Sequence, residues 1–162
     1  MMLHAPPYPT SSAASNLSTK TLVIDSSIAL RWFFSEPDSD HARSLLLDYQ
    51  LGQVTVLAPD MIVSEITNAV WWRQVNHKLT TQDGRAVLDT FRDLHLRLVP
   101  TVELIDQAYW LAITNQQNVY DMLYIALARR EKCRYITADE QFALTMSRAI
   151  SEVTALSAWS ID

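Results

Sequence analysis

Residues 21–34 read Thr-Leu-Val-Ile-Asp-Ser-Ser-Ile-Ala-Leu-Arg-Trp-Phe-Phe. Leu22, Val23 and Ile24 form a short aliphatic run that ends on an acid. Two serines follow, and then Ile28, Leu30, Trp32, Phe33 and Phe34 recur at helical spacing. A continuous apolar run closed by turn-type residues predicts a buried strand entering a helix. Asp25 is the only acid in this run, and no base precedes Arg31. Two readings stay open for it. Asp25 caps the helix, or it sits at the carboxyl end of a central strand, where open α/β sheets bind ligands.

Working outward, short strands alternate with helical stretches. A turn at residues 35–39 precedes a helix over 41–50 that stops at Gly52, and Val54–Leu57 reads as a second strand. Pro59 is expected to open the next helix, at the first helical position proline favours. That helix, to about His77, carries Glu65 among Met61, Ile62, Val63, Ile66, Ala69 and Val70. A glutamate with such neighbours on its own face is not freely solvated; Asn68, three residues on, could bond it or the backbone. Thr80–Leu94 reads as an amphipathic helix, Arg97–Pro100 as a third strand, and Val102–Gln116 as another amphipathic helix.

From Val119 to Ala128 every residue except Asp121 is apolar or Tyr. A helix apolar all round belongs in a core. Asp121 lies in its first turn, where the helix dipole also favours an acid. Arg134–Thr137 predicts a fourth strand, followed at once by Ala138-Asp139-Glu140, with a helix to about Arg148 and a short segment at 153–156 closing the chain. Asp139 again follows a strand end and can cap. Strands alternating with helices predict a parallel sheet covered on both faces.

Composition narrows the chemistry. At 162 residues the chain is long enough for one domain with a substantial core. Residues 1–20, rich in Pro, Ser, Ala and Thr, are expected to form a disordered tail ahead of a domain over 21–158. They lack the basic leader and apolar stretch of a signal peptide, and no apolar run reaches the ~18 residues of a membrane span. The lone Cys133 excludes an internal disulfide and fits a reducing cytoplasm. With only Gly52 and Gly84, no phosphate loop, dinucleotide fingerprint or G-x-S-x-G elbow can form. His4, His41, His77 and His95 are scattered, without zinc-ligand spacing. The formal charge of −5 argues against a nucleic-acid binder, whose surface is usually basic.

Chemistry therefore rests on carboxylates. Asp25, Glu65, Asp121 and Asp139 each sit in apolar sequence. A buried carboxylate pairs, protonates or meets a metal. Four of them, from four elements, can converge at one end of the sheet. Two carboxylates about 5 Å apart repel by roughly 3 kcal/mol at an effective dielectric of about 20, and a divalent ion reverses that sign. An all-oxygen site suits Mg²⁺ or Mn²⁺, and such clusters commonly work on phosphates.

The stretches VIDSSIALRWF, APDMIVSEITNAVW, VYDMLYIALARR and YITADEQF together resemble a PIN domain, specifically the VapC-like ribonuclease toxins of type II toxin–antitoxin pairs. The resemblance spans roughly Thr21 to Leu156. It implies a three-layer α/β fold with a parallel five-stranded sheet of order 3-2-1-4-5. It further implies an endoribonuclease that uses Mg²⁺ or Mn²⁺ to leave a 5′-phosphate and a 3′-hydroxyl. By the same resemblance, Asp25 and Asp121 are principal metal ligands, Glu65 and Asp139 complete the acidic pocket, and Ser27 and Thr137 support the first and fourth acids. The partners implied are RNA, a cognate antitoxin and a second copy of the chain, in the cytoplasm.

Two residues depart from the family pattern: Met122, expected to narrow the pocket, and Gln141, where a base is common. Arg31, Arg73, Arg129, Arg130, Lys132 and Arg134 are candidate phosphate contacts. Trp71-Trp72 could stack bases, with packing or a subunit interface as the other use. A receiver domain would need a late lysine, absent after Lys132. A dehalogenase-type phosphatase would need an acid where Ser27 stands. The remaining alternative is a catalytically silent PIN scaffold that only binds partners.

Overall fold

The computed structural model describes residues 20–160. The expected tail lies outside the described residues, except for Lys20, which opens the first strand. Five strands, β1 (Lys20–Ile24), β2 (Val54–Pro59), β3 (Arg97–Val99), β4 (Arg134–Thr137) and β5 (Val153–Ala155), form one sheet in the order β3-β2-β1-β4-β5. Every pairing is parallel, as the alternation of strands and helices predicts. Seven helices connect and cover them: α1 (Ser26–Phe33), α2 (Ser39–Gln50), α3 (Ile62–Val75), α4 (Thr81–Asp93), α5 (Ile105–Asn115), α6 (Val119–Arg130) and α7 (Glu140–Met146).

The central strands are buried on both faces. Leu22, Val23, Ile24, Val56, Leu57, Ala58 and Ile136 are fully enclosed, which accounts for their unbroken apolar runs. Helix α6 is the most deeply placed, with every residue from Met122 to Ala128 buried. Met122 is therefore part of the core and does not line the acidic pocket. The expectation that it narrows the pocket is corrected.

Two boundaries differ from the sequence reading. Pro59 ends β2, paired with Val99, and does not open α3. β1 pairs β2 only as far as Leu57, so Pro59 sits as at a sheet edge, with β3 alone beside it. The next donor, Asp60 N–H, bonds Val99 carbonyl at 2.8 Å. The expected helix 102–116 is broken at Leu104: a 3-10 turn over Thr101–Glu103 precedes α5. Asp60 Oδ1 accepts from both the backbone N–H and the hydroxyl of Thr101. That grip fixes the chain at the strand exit, and buried Leu104 redirects it.

Helices α1 and α3 are tied by charge. Glu36, in the loop after α1, bonds Arg73 of α3 at 2.6 Å and lies 3.4 Å from Arg31 of α1. The Arg73 guanidinium also stacks on Phe34, 4.1 Å from its ring centre. Among the described residues no helix is long and apolar enough to cross a membrane.

Because α6 fills the centre of the core, shortening one of its side chains leaves a cavity there. Ile125→Ala is expected to lower unfolding stability by about 2–5 kcal/mol. Urea denaturation with an unchanged slope checks this; a loss well under about 1 kcal/mol would contradict the packing described.

Candidate active site

Parallel order 3-2-1-4-5 reverses direction between β1 and β4. The carboxyl ends of those two strands therefore open a crevice. Asp25 follows β1 directly, and Asp139 follows β4 by one residue. Glu65 arrives on the first turn of α3 and Asp121 on the first turn of α6. All four line one cavity of about 190 Å³, with Ser26, Ser27, Tyr124, Tyr135, Thr137 and Phe142. Asp25, Glu65 and Asp121 are partly buried, and Asp139 is exposed.

Both readings of Asp25 hold together. Its Oδ1 accepts from Ile28 N–H at 3.3 Å, capping α1, and from the Ser27 hydroxyl. Its Oδ2 accepts from the Tyr135 phenol at 2.7 Å and the Thr137 hydroxyl at 2.6 Å. Four protein donors thus converge on this carboxylate, about as many as it has lone-pair directions. Thr137 accordingly supports the first acid through its hydroxyl. It reaches the fourth only by accepting the Asp139 backbone N–H at 3.1 Å. Asp139 itself caps α7, its Oδ1 accepting from Phe142 N–H at 2.9 Å.

Asp121 is held by a reciprocal cap. Its N–H donates to Asn118 Oδ1 at 3.0 Å, and Asn118 Nδ2 donates back to its Oδ2 at 2.5 Å. Glu65 Oε2 accepts from the Tyr124 phenol. Asn68 is exposed and makes no hydrogen bond to Glu65 among the described residues; Tyr124 provides the donor expected of it.

No arginine or lysine among the described residues neutralises these four acids. Arg31 and Arg73 pair with Glu36, Arg129 with Glu152, and Arg130 with Glu103 and Glu131. Arg134 donates to Ser151 carbonyl. The electrostatic consequence is direct. Burial, and then the charges of Asp25 and Asp121, push the Glu65 carboxyl above its ordinary range, against the opposing Tyr124 bond. Burial also raises Asp121, with Asp25 and Asp139 adding to it and the Asn118 bond opposing. Buried beside these anions, the Tyr124 and Tyr135 phenols are raised far enough to stay protonated donors.

The chemistry of the donors fits a hard divalent cation: oxygen only, negatively charged, and without a base of their own. As it stands, no group of three or more His, Cys, Asp or Glu among the described residues is set to hold an ion. The carboxylates are turned to protein donors instead. Among the described residues no donor reaches Asp121 Oδ1 or Asp139 Oδ2, whereas both oxygens of Asp25 are engaged.

Residues 22–145 match the PIN domain family. A VapC ribonuclease of Mycobacterium bovis and the ribonuclease VapC9 of Mycobacterium tuberculosis are each 30% identical to this chain over 118 residues, covering 73% of it and 85% of the relative. The chain belongs to the PIN-domain family, in its VapC-like branch. For such a PIN domain the sheet order and sequence motifs agree with what the resemblance implied.

Five residues of this PIN site escaped the sequence reading. Ser26 lines the cavity beside Glu65. Asn118 stands three before Asp121, the spacing of a capping box. Tyr124 lies one helical turn after Asp121. Tyr135 shares a strand face with Thr137, two residues on. Phe142 packs edge-on against Tyr135 at 6.4 Å. The Trp71-Trp72 pair is exposed, which excludes core packing as its use, and Lys78 lies 4.8 Å over the Trp72 ring.

A raised native pKa means that the folded state binds the proton more tightly than the unfolded chain. Its stability then falls as pH rises from the unfolded value, near 4, through the folded one. Asp121→Asn keeps the oxygen that Asn118 bonds and removes the charge. In chelator, its melting temperature is expected to exceed wild type by about 2–4 °C at pH 7.5, with the difference shrinking toward pH 4. Equal melting curves at both pH values would show that Asp121 is not under repulsion.

Proposed function

We propose that this VapC-like protein is an endoribonuclease whose site is the pocket of Asp25, Glu65, Asp121 and Asp139, dependent on Mg²⁺ or Mn²⁺. The observation that carries the reading is one cavity lined by four carboxylates with no basic side chain on any of them. A silent scaffold has no need to keep that repulsion. When bound there, a divalent ion would activate water and stabilise the leaving oxygen of a phosphodiester.

The chain's own residues do the rest. Asp121 and Asp139 offer the open oxygens, Asp25 anchors the floor of the pocket, and Glu65, raised by burial, accepts a proton more readily than an ordinary glutamate. Ser27 and Thr137 are rotatable hydroxyls that can turn as Asp25 changes partners.

RNA is the substrate in this reading, supported by the named activity of the relatives. A protein antitoxin is the partner, and an arginine from it would fit the unpaired carboxylates well. A second copy of the chain is supported by the exposed apolar side chains Ile105, Tyr109, Trp110 and Ile113 on α5. The lone cysteine fits a cytoplasmic protein.

RNA cleavage is expected with Mg²⁺ or Mn²⁺, abolished by chelator, and reduced at least about 100-fold in Asp121→Asn, a loss of about 2.7 kcal/mol in transition-state stabilisation. Equal cleavage by both proteins would place the activity elsewhere. No cleavage by wild type across a broad RNA pool, with an unchanged melting point in millimolar Mn²⁺, would favour the scaffold.

A further inference from the structure

Two buried tyrosines, one on α6 and one on β4, meet behind the acids. Tyr124 and Tyr135 are 2% and 1% exposed. Their rings stack with centroids 5.5 Å apart and planes 14° from parallel. The Tyr124 hydroxyl donates to Glu65, and the Tyr135 hydroxyl donates to Asp25 Oδ2. Tyr124 shares its helix with Asp121, and Tyr135 rests against Phe142, whose N–H is capped by Asp139. One aromatic pair therefore bonds two of the carboxylates directly and packs on the residue that Asp139 caps.

The choice of donor matters. An arginine in either place would hold the carboxylate and cancel its charge. A phenol holds it with one neutral hydrogen bond and leaves the negative charge for a cation. The Ser27 and Thr137 hydroxyls can swing about a single bond. A phenolic oxygen is carried by its ring, and each ring here is clamped by the other and by the core. The carboxylate oxygen that each phenol engages is fixed accordingly.

We infer that Tyr124 and Tyr135 are positioning residues, a stacked pair of rigid neutral donors that presets Glu65 and Asp25 for a divalent cation. This rests on the metal-dependent reading above. Outer partners that orient metal ligands commonly set affinity by about 10–100-fold, and the pair acts at that level, without touching substrate.

The test is Mn²⁺ titration calorimetry on the full chain, comparing wild type, Tyr124→Phe, Tyr135→Phe and the core control Ile125→Val. Each Tyr→Phe variant is expected to bind Mn²⁺ about 10–100-fold more weakly, while Ile125→Val binds as wild type does. Raising Mn²⁺ should restore RNA cleavage to the phenylalanine variants but not to Asp121→Asn. If wild type binds Mn²⁺ and the phenylalanine variants bind it equally well, the positioning role is overturned and the metal site stands. An equal loss in Ile125→Val would overturn it too, because the effect would then follow general destabilisation. If wild type itself binds no Mn²⁺ at millimolar concentration, the metal reading falls and the inference with it. Should a phenylalanine variant not fold, Tyr124→Met and Tyr135→Met fill the core with a flexible side chain that has no donor, and wild-type Mn²⁺ affinity in either would overturn the proposal.

Discussion

Mutual repulsion among four carboxylates at one cavity, three half-buried and Asp139 exposed, is the constraint around which this protein is built. The fold could relieve it with arginines, and it has arginines to spare near the site. Arg31 and Arg73 stand on the two helices that also deliver Ser27 and Glu65, yet both are turned to Glu36. The positive charge ties α1 to α3 and leaves the pocket negative. Repulsion is left standing at the mouth of the sheet, at a local cost in stability.

The sheet brings the acids together. Backbone hydrogen bonds of β1 and β4 hold Asp25 and Thr137 in fixed register, with Ile24 opposite Ile136. The two helices that bring Glu65 and Asp121 begin near the same end of the sheet. Their first-turn N–H groups favour negative charge, which partly offsets what burial costs the acids. Asp25 and Asp139 each cap a helix through Oδ1 while lining the same cavity.

Most of this was legible from residue types and spacing. Leu22-Val23-Ile24 before Asp25, and Tyr135-Ile136-Thr137 before Asp139, announce strands ending on acids, and the apolar belt of α6 announces its burial. Local cues misled where backbone pairing decided the outcome. Pro59 looks like a helix opener, but the strand beside it holds it in the sheet. The segment 102–116 has a continuous helical pattern, but Asp60 grips Thr101 and forces a tighter turn first. The donors to the acids were hidden for a different reason. Tyr124 and Tyr135 read as core aromatics, which they are; only the three-dimensional packing shows that each ring also ends in a hydroxyl aimed at a carboxylate.

The order in which the acids occur along the chain has a consequence for synthesis. Asp25 is made 110 residues before Tyr135 of its partner strand β4, and the last acid, Asp139, follows β4. Until β4 inserts beside β1, Asp25 lacks the Tyr135 and Thr137 donors and the crevice has one wall. A chain that stops short of β4 therefore lacks Asp139 and two of the four donors to Asp25, and its acidic crevice is incomplete. The order of the strands thus makes the crevice one of the last parts of this domain to be completed.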